Sequence, residues 1–144
     1  MPNTTVVLAS VPAVHLASFL TVPSLANRVA FGSSSAPVRD FPIGLTVYIH
    51  ASKPPHELCK PGRVSWIGRL GTILEAVEHG RRSGKHPEPS VRPPSAEQDD
   101  EPFVAFWEVI GLRQLEEPIP LARFASLFHG APPEWPVLAT LATT

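Results

Sequence analysis

The segment Thr46–Lys53 places four side chains of different chemistry in quick succession: a hydroxyl at Thr46, a phenol at Tyr48, an imidazole at His50 and, at its exit, an ammonium at Lys53. Between them Leu45, Val47, Ile49 and Ala51 make an apolar row, so the alternation predicts a half-buried strand with Thr46, Tyr48 and His50 on its other face. An unpaired base offers two π faces and one hydrogen-bonding edge, and a site for it needs an aromatic platform with polar groups beside it. Tyr48 and His50 fit that need, and Trp66 on the next predicted strand extends the platform, although a tryptophan there equally suits a core. Arg28, Arg39 and Lys53 supply cations for phosphate or carbonyl oxygens. The candidate ligand-binding set is therefore Arg28, Arg39, Tyr48, His50, Lys53 and Trp66. A strand with one merely solvated face would carry the same pattern.

Other chemistries leave weaker marks. Histidines stand at 15, 50, 56, 79, 86 and 129 without an H-E-x-x-H or C-x-x-C companion, so no metal site is expected. Gly32–Ser35 has no Walker lysine, and its serines form no nucleophile elbow. The single Cys59 excludes an internal disulfide framework and fits a reducing compartment. No catalytic set and no cofactor signature emerges. Glu108 is the only charge in the apolar run Phe103–Ile110, and a carboxylate there is a functional candidate if buried.

The elements that must position these groups are short. With 144 residues, 43% hydrophobic and 17% charged, the chain suits one globular domain over 1–144. Eighteen prolines forbid long helices and interrupt ladders. Strands are predicted over Thr4–Ala9, Leu45–Ala51, Phe103–Ile110 and Val137–Leu141. A helix is predicted over Val11–Leu20 with Ser10 able to cap it, and a short turn or helix from Pro23 or Ser24 through Asn27. Val29–Phe31 gives way to the flexible Gly32–Ser35 loop. Arg63–Val77 reads as a long strand bent at Gly68 and Gly71, or as a strand followed by a helix over Thr72–His79. Gly80–Pro102 is polar and proline-rich, an exposed loop that is either a tolerated insertion or a lid reaching out through Arg81, Arg82 and Lys85. Pro118–Leu121 reads as an extended edge piece and Ala122–Phe128 as a short helix.

Val6–Leu25 is apolar but lacks a positive leader and is broken by Pro12, His15 and Pro23, so a soluble, cytoplasmic protein with no membrane partner is expected. Net charge is −1, yet Arg28–Arg92 holds ten Lys/Arg against five Asp/Glu and the remainder to Thr144 two against eight. That asymmetry permits a basic patch on a nearly neutral molecule.

In order, these pieces resemble the PUA-like superfamily and, within it, the ASCH domains, whose second strand commonly ends in a Tyr–Ala-Ser-Lys-Pro pattern. The matching residues are Tyr48-Ile49-His50-Ala51-Ser52-Lys53-Pro54-Pro55 after the Pro42-Ile43-Gly44 turn, and Trp107–Leu121 ending in Pro-Ile-Pro-Leu. The resemblance runs over Val7–Leu121 and is tight only in those two stretches. It implies an α+β fold, a small mixed β-barrel with short helices capping it, and binding of RNA or a modified nucleotide or nucleobase in a cleft beside the barrel. Some ASCH proteins hydrolyse acylated cytidine. The hallmark G-x-K-x-x-E-x-R is not kept: Ala26–Ser33 has Arg28 at the lysine position and Phe31 and Ser33 at the acidic and arginine positions. An arginine does not lose its proton and cannot serve as nucleophile or general base. Binding of RNA or a nucleotide-like small molecule is thus the expected function. The alternatives are an amidohydrolase acting on an acylated nucleoside, and a protein-interaction module using the proline-rich loop.

Overall fold

Strand β1 (Asn3–Pro12) holds two distant parts of the chain together. On one side it pairs in parallel with β3 (Thr46–Ser52), on the other antiparallel with β9 (Val137–Ala142). Parallel neighbours need a crossover, and here it contains helix α1 (Ala13–Phe19), a 3-10 turn at Pro23–Ala26 and strand β2 (Val29–Ser33). The computed structural model describes residues 3–33, 41–52, 57–58, 62–75, 77–78, 81–82, 89–98, 103, 105–126 and 136–142.

Two long strands, β4 (Arg63–Glu75) and β7 (Ala105–Pro120), form the main antiparallel ribbon. β5 (Val77–Glu78) and β6 (Arg81–Arg82) pair separately, and β8 (Phe124–Ser126) pairs with β9. The order across the sheet is β2-β7-β4-β3-β1-β9-β8. The fold is α+β, and the sheet is mixed, as expected, but the expected barrel does not close. β2 and β8 lie at opposite ends of that order, and no ladder joins them among the described residues.

The sheet coils instead. Val7, Ala9 and Val11 of β1, Val47 and Ile49 of β3, Trp66 and Leu70 of β4, Trp107 and Val109 of β7, and Val29 and Phe31 of β2 share one buried cluster with Ala13, Leu16 and Phe19 of α1. One face of five strands therefore wraps the helix; we call it the inner face. Burying this apolar set outweighs the weak helix signal of a seven-residue segment whose N-cap, Pro12, makes no side-chain cap. Ser10, the expected cap, belongs to β1.

Bulges produce the coiling. The β4–β7 register shifts between Val64 and Trp66, Ile67 and Arg69, and Leu70 and Ile73, two of these intervals spanning the predicted glycines. At Gly68 a β-carbon would lie 2.4 Å from Val109 Cγ1 and 3.3 Å from Leu112 Cα, so only glycine lets the two strands approach there. Opposite, Gly111 has φ +67° and lets β7 resume with its faces correctly set.

Several expectations are corrected. Val29–Ser33 is a strand rather than the start of a loop, because its alternating apolar residues cover the ribbon's edge. Pro118–Leu121 is no separate edge piece: β7 continues to Pro120. Ala122–Phe128 does not begin a helix, since Leu121–Arg123 is a 3-10 turn and β8 follows at once. The Thr72–His79 helix alternative fails, as β4 runs to Glu75.

The polar loop is also more than solvated chain. Pro89–Val91 and Pro94–Gln98 form 3-10 turns. Val91 joins Ala30, Phe103 and Phe106 in a small cluster on the outer face, while Arg92 stands 4.8 Å over the Phe106 ring and 5.4 Å over Phe103. Ser95 ties the second turn to α1, with its Oγ 2.6 Å from His15 Nδ1 and 2.8 Å from Ser18 Oγ. Lys85 lies outside the described residues. Among the described residues no helix is long and apolar enough to cross a membrane.

Candidate functional site

Alternation along the ribbon gives its two faces different chemistry. On the inner face, Trp66 lies opposite Gln114, two residues beyond the buried Leu112. On the outer face, Ile67 lies opposite Arg113, and Arg69 opposite Ile110. The neighbouring strand extends these rows, with Tyr48 beside Ile67 and Thr46 beside Arg69.

The inner face opens into a groove of about 290 Å³ where the ribbon meets the end of α1 and the Pro23–Ala26 turn. Its floor is Phe19, Trp66 and Leu112; Leu20, Val22 and Pro23 form one wall, and Arg113 and Gln114 the other. Phe19 and Trp66 meet edge to face at 6.0 Å, which fixes both rings. Trp66 is only 1% exposed, whereas Leu20 is half exposed at the rim. The groove is thus an apolar slot with an amide at its edge, able to hold a flat apolar face and to donate to and accept from its polar rim.

Of the six predicted site residues, the four that the structure describes are not gathered around one hollow. Tyr48 and His50 share the outer face, as the alternation predicts, and both are only half-buried. Trp66, however, pairs with Ile49 and belongs to the inner face, so it cannot extend their platform. The Tyr48 ring packs edge-on against Phe124 at 5.3 Å, beside the cluster of Val6, Leu8, Val64, Phe124, Ala139 and Leu141. His50 Nδ1 stands 3.4 Å from Ser10 Oγ, its strand neighbour, and burial pulls its imidazole below the usual histidine value. Arg28 precedes β2 and places Nη1 3.6 Å from Glu108 Oε2. Arg39 and Lys53 lie outside the described residues, as does Cys59.

Glu108 is buried, as its functional candidacy required, at 1% exposure. Its neighbour across the ladder is Ala30, and its partner Arg28 is a cation. The described surroundings therefore give it an ion pair. Among the described residues no group of histidine, cysteine, aspartate or glutamate could hold a metal. The hydroxyl–imidazole pair Ser95–His15 is engaged in docking, with Ser95 Oγ also donating to the Val14 carbonyl at 3.3 Å.

Sequence reading missed Arg69, Arg113 and Gln114. Arg69 was findable, since it stands two residues after Ile67 on a predicted strand. Arg113 and Gln114 were not, because the bulge at Gly111 resets which face each residue takes. No protein-family model matches the chain, and no curated protein matches it in sequence.

Proposed function

We propose that this protein binds RNA or a nucleotide-like ligand by seating an unpaired base in the groove between α1, the Pro23–Ala26 turn and the ribbon. The observation that carries the reading is the groove itself: an apolar slot near the small end of ligand-site volumes, floored by two fixed aromatic residues and edged by one amide and one guanidinium. A base buries its faces against Leu20, Val22 and Pro23. Gln114 offers a donor and an acceptor to its edge. Such a site works by shape and hydrogen bonding alone, so it survives the loss of the ASCH lysine. On this reading the coiled sheet is an open form of the PUA-like barrel that Pro42–Pro55 and Trp107–Leu121 resemble, acting in a reducing, cytoplasmic compartment.

Calorimetric titration with a panel of natural and modified nucleosides tests it. Binding is expected to weaken about tenfold in Gln114→Ala, the loss of roughly 1.4 kcal/mol expected for one or two hydrogen bonds. It is expected to disappear in Leu20→Glu, which puts a carboxylate against the base. No heat and no perturbed resonances of groove residues with any nucleoside would end the proposal.

A further inference from the structure

Beyond the groove, the outer face of the ribbon carries a feature that single-base binding does not use. Between its two apolar patches, one around Phe106 and the other around Phe124, the face is exposed among the described residues. There Arg69 and Arg113 project from adjacent strands, in the neighbouring rows Thr46–Arg69–Ile110 and Tyr48–Ile67–Arg113. Both arginines are exposed, and among the described residues neither has a carboxylate within ion-pair distance or a hydrogen-bond acceptor. Arg28, held by Glu108, adds a third guanidinium beyond Ile110 on the same face. The nearest acidic residues along β7 on the far side, Glu116 and Glu117, fall in the bulged stretch between Gln114 and Ile119 that has no register partner on β4.

The surface continues into the groove. Beyond Val109, β7 has lost its β2 neighbour and is an edge of the sheet among the described residues. Arg113 and Gln114 are consecutive on that edge and face opposite ways. A chain whose base sits beside Gln114 need only pass over this edge for its phosphates to reach Arg113 and then Arg69.

We infer that the outer face of the β4–β7 ribbon holds the sugar-phosphate backbone of a single-stranded polynucleotide, so that the ligand is a strand and not a free nucleotide. The inference rests on the groove reading for the base. Its own warrant is charge: guanidinium forks without partners among the described residues suit phosphate oxygens, and Ile67 and Ile110 between them offer sugars an apolar bed.

Fluorescence anisotropy of a labelled single-stranded oligouridylate, measured over a range of salt, supplies the test, with a parallel nucleoside titration. The oligonucleotide is expected to bind at least tenfold more tightly than its nucleoside at low salt. The double variant Arg69→Ala/Arg113→Ala is expected to lose that advantage and to lower the slope of log K against log salt by about 1.4, at roughly 0.7 per phosphate contact. Nucleoside affinity in an Arg69→Ala single variant should stay unchanged, and Arg63→Ala, a basic control at the far end of β4, should leave both ligands unaffected. Nucleosides that bind while the oligonucleotide gains nothing would overturn this inference and leave the groove standing. Salt-dependent oligonucleotide binding with no nucleoside binding would support the backbone surface and sink the groove. Polyglutamate competing as strongly as oligouridylate would overturn the polynucleotide in favour of an acidic protein partner.

Discussion

The inner and outer faces of one ribbon, built from the same two strands, have opposite fates. Inside, Leu70, Val109, Trp66 and Leu112 are nearly inaccessible and lie under α1. Outside, Arg69, Ile110 and Arg113 are exposed with no element over them among the described residues. Backbone hydrogen bonding is common to both, so the difference lies in what covers each face. The inner face supplies apolar burial that stabilises the coil. Between its two apolar patches the outer face is left with side chains that contribute little to folding, the usual condition of a solvent-facing surface.

The sharpest way to break that contrast is to remove the inner floor. Trp66→Ala deletes a fully buried indole and is expected to destabilise the fold by about 3–5 kcal/mol in chemical denaturation. A loss below about 1 kcal/mol would show that the ribbon does not depend on this core. Next comes Gly68→Ala, expected to cost about 1–3 kcal/mol because the added carbon meets Val109 and the β7 backbone. Tolerance there would mean that the close strand approach is dispensable.

Glu108→Gln keeps the shape and removes the charge opposite Arg28. With one partner buried and the other 40% exposed, its cost is expected between the surface and buried limits, on the order of 1–2 kcal/mol. For His50, the folded-state pKa is lowered by burial, so below about pH 6.5 the unfolded chain takes up the proton first. Its contribution is complete above that value and declines as pH falls from 6.5 toward the lower folded value. The part of the stability–pH slope in that window that disappears in His50→Gln measures it; an unchanged slope would discount the buried imidazole. Smallest of all, Arg69→Ala and Arg113→Ala are expected to change stability by no more than about 0.5 kcal/mol, as measured by thermal melting. A larger loss would make the outer face structural.

Much of this was legible from residue types. The alternation in Thr46–Ser52 named both faces of β3, and the glycines in Arg63–Val77 announced a bent strand, because local stereochemistry sets both. Reading which face meets a ligand required more. Trp66 looked like part of the Tyr48–His50 platform until the pairing of Ile49 with Trp66 put it on the other side. That register is fixed by the pairing of two separate strands, and no local pattern within either encodes it. The docked Pro94–Gln98 turn escaped for a similar reason: its contacts with His15 and Ser18 span about eighty positions. Composition identified a polar segment correctly and said nothing of its partners.

The ladder between Asn3 and Ala142 carries a kinetic consequence. During synthesis β1 emerges well before β9, so one flank of that strand has no mate until Val137–Ala142 has been made. Until then Val6, Val7 and Leu8 present an unsatisfied, sticky border, and the coil can lock only once Val137–Ala142 has joined it.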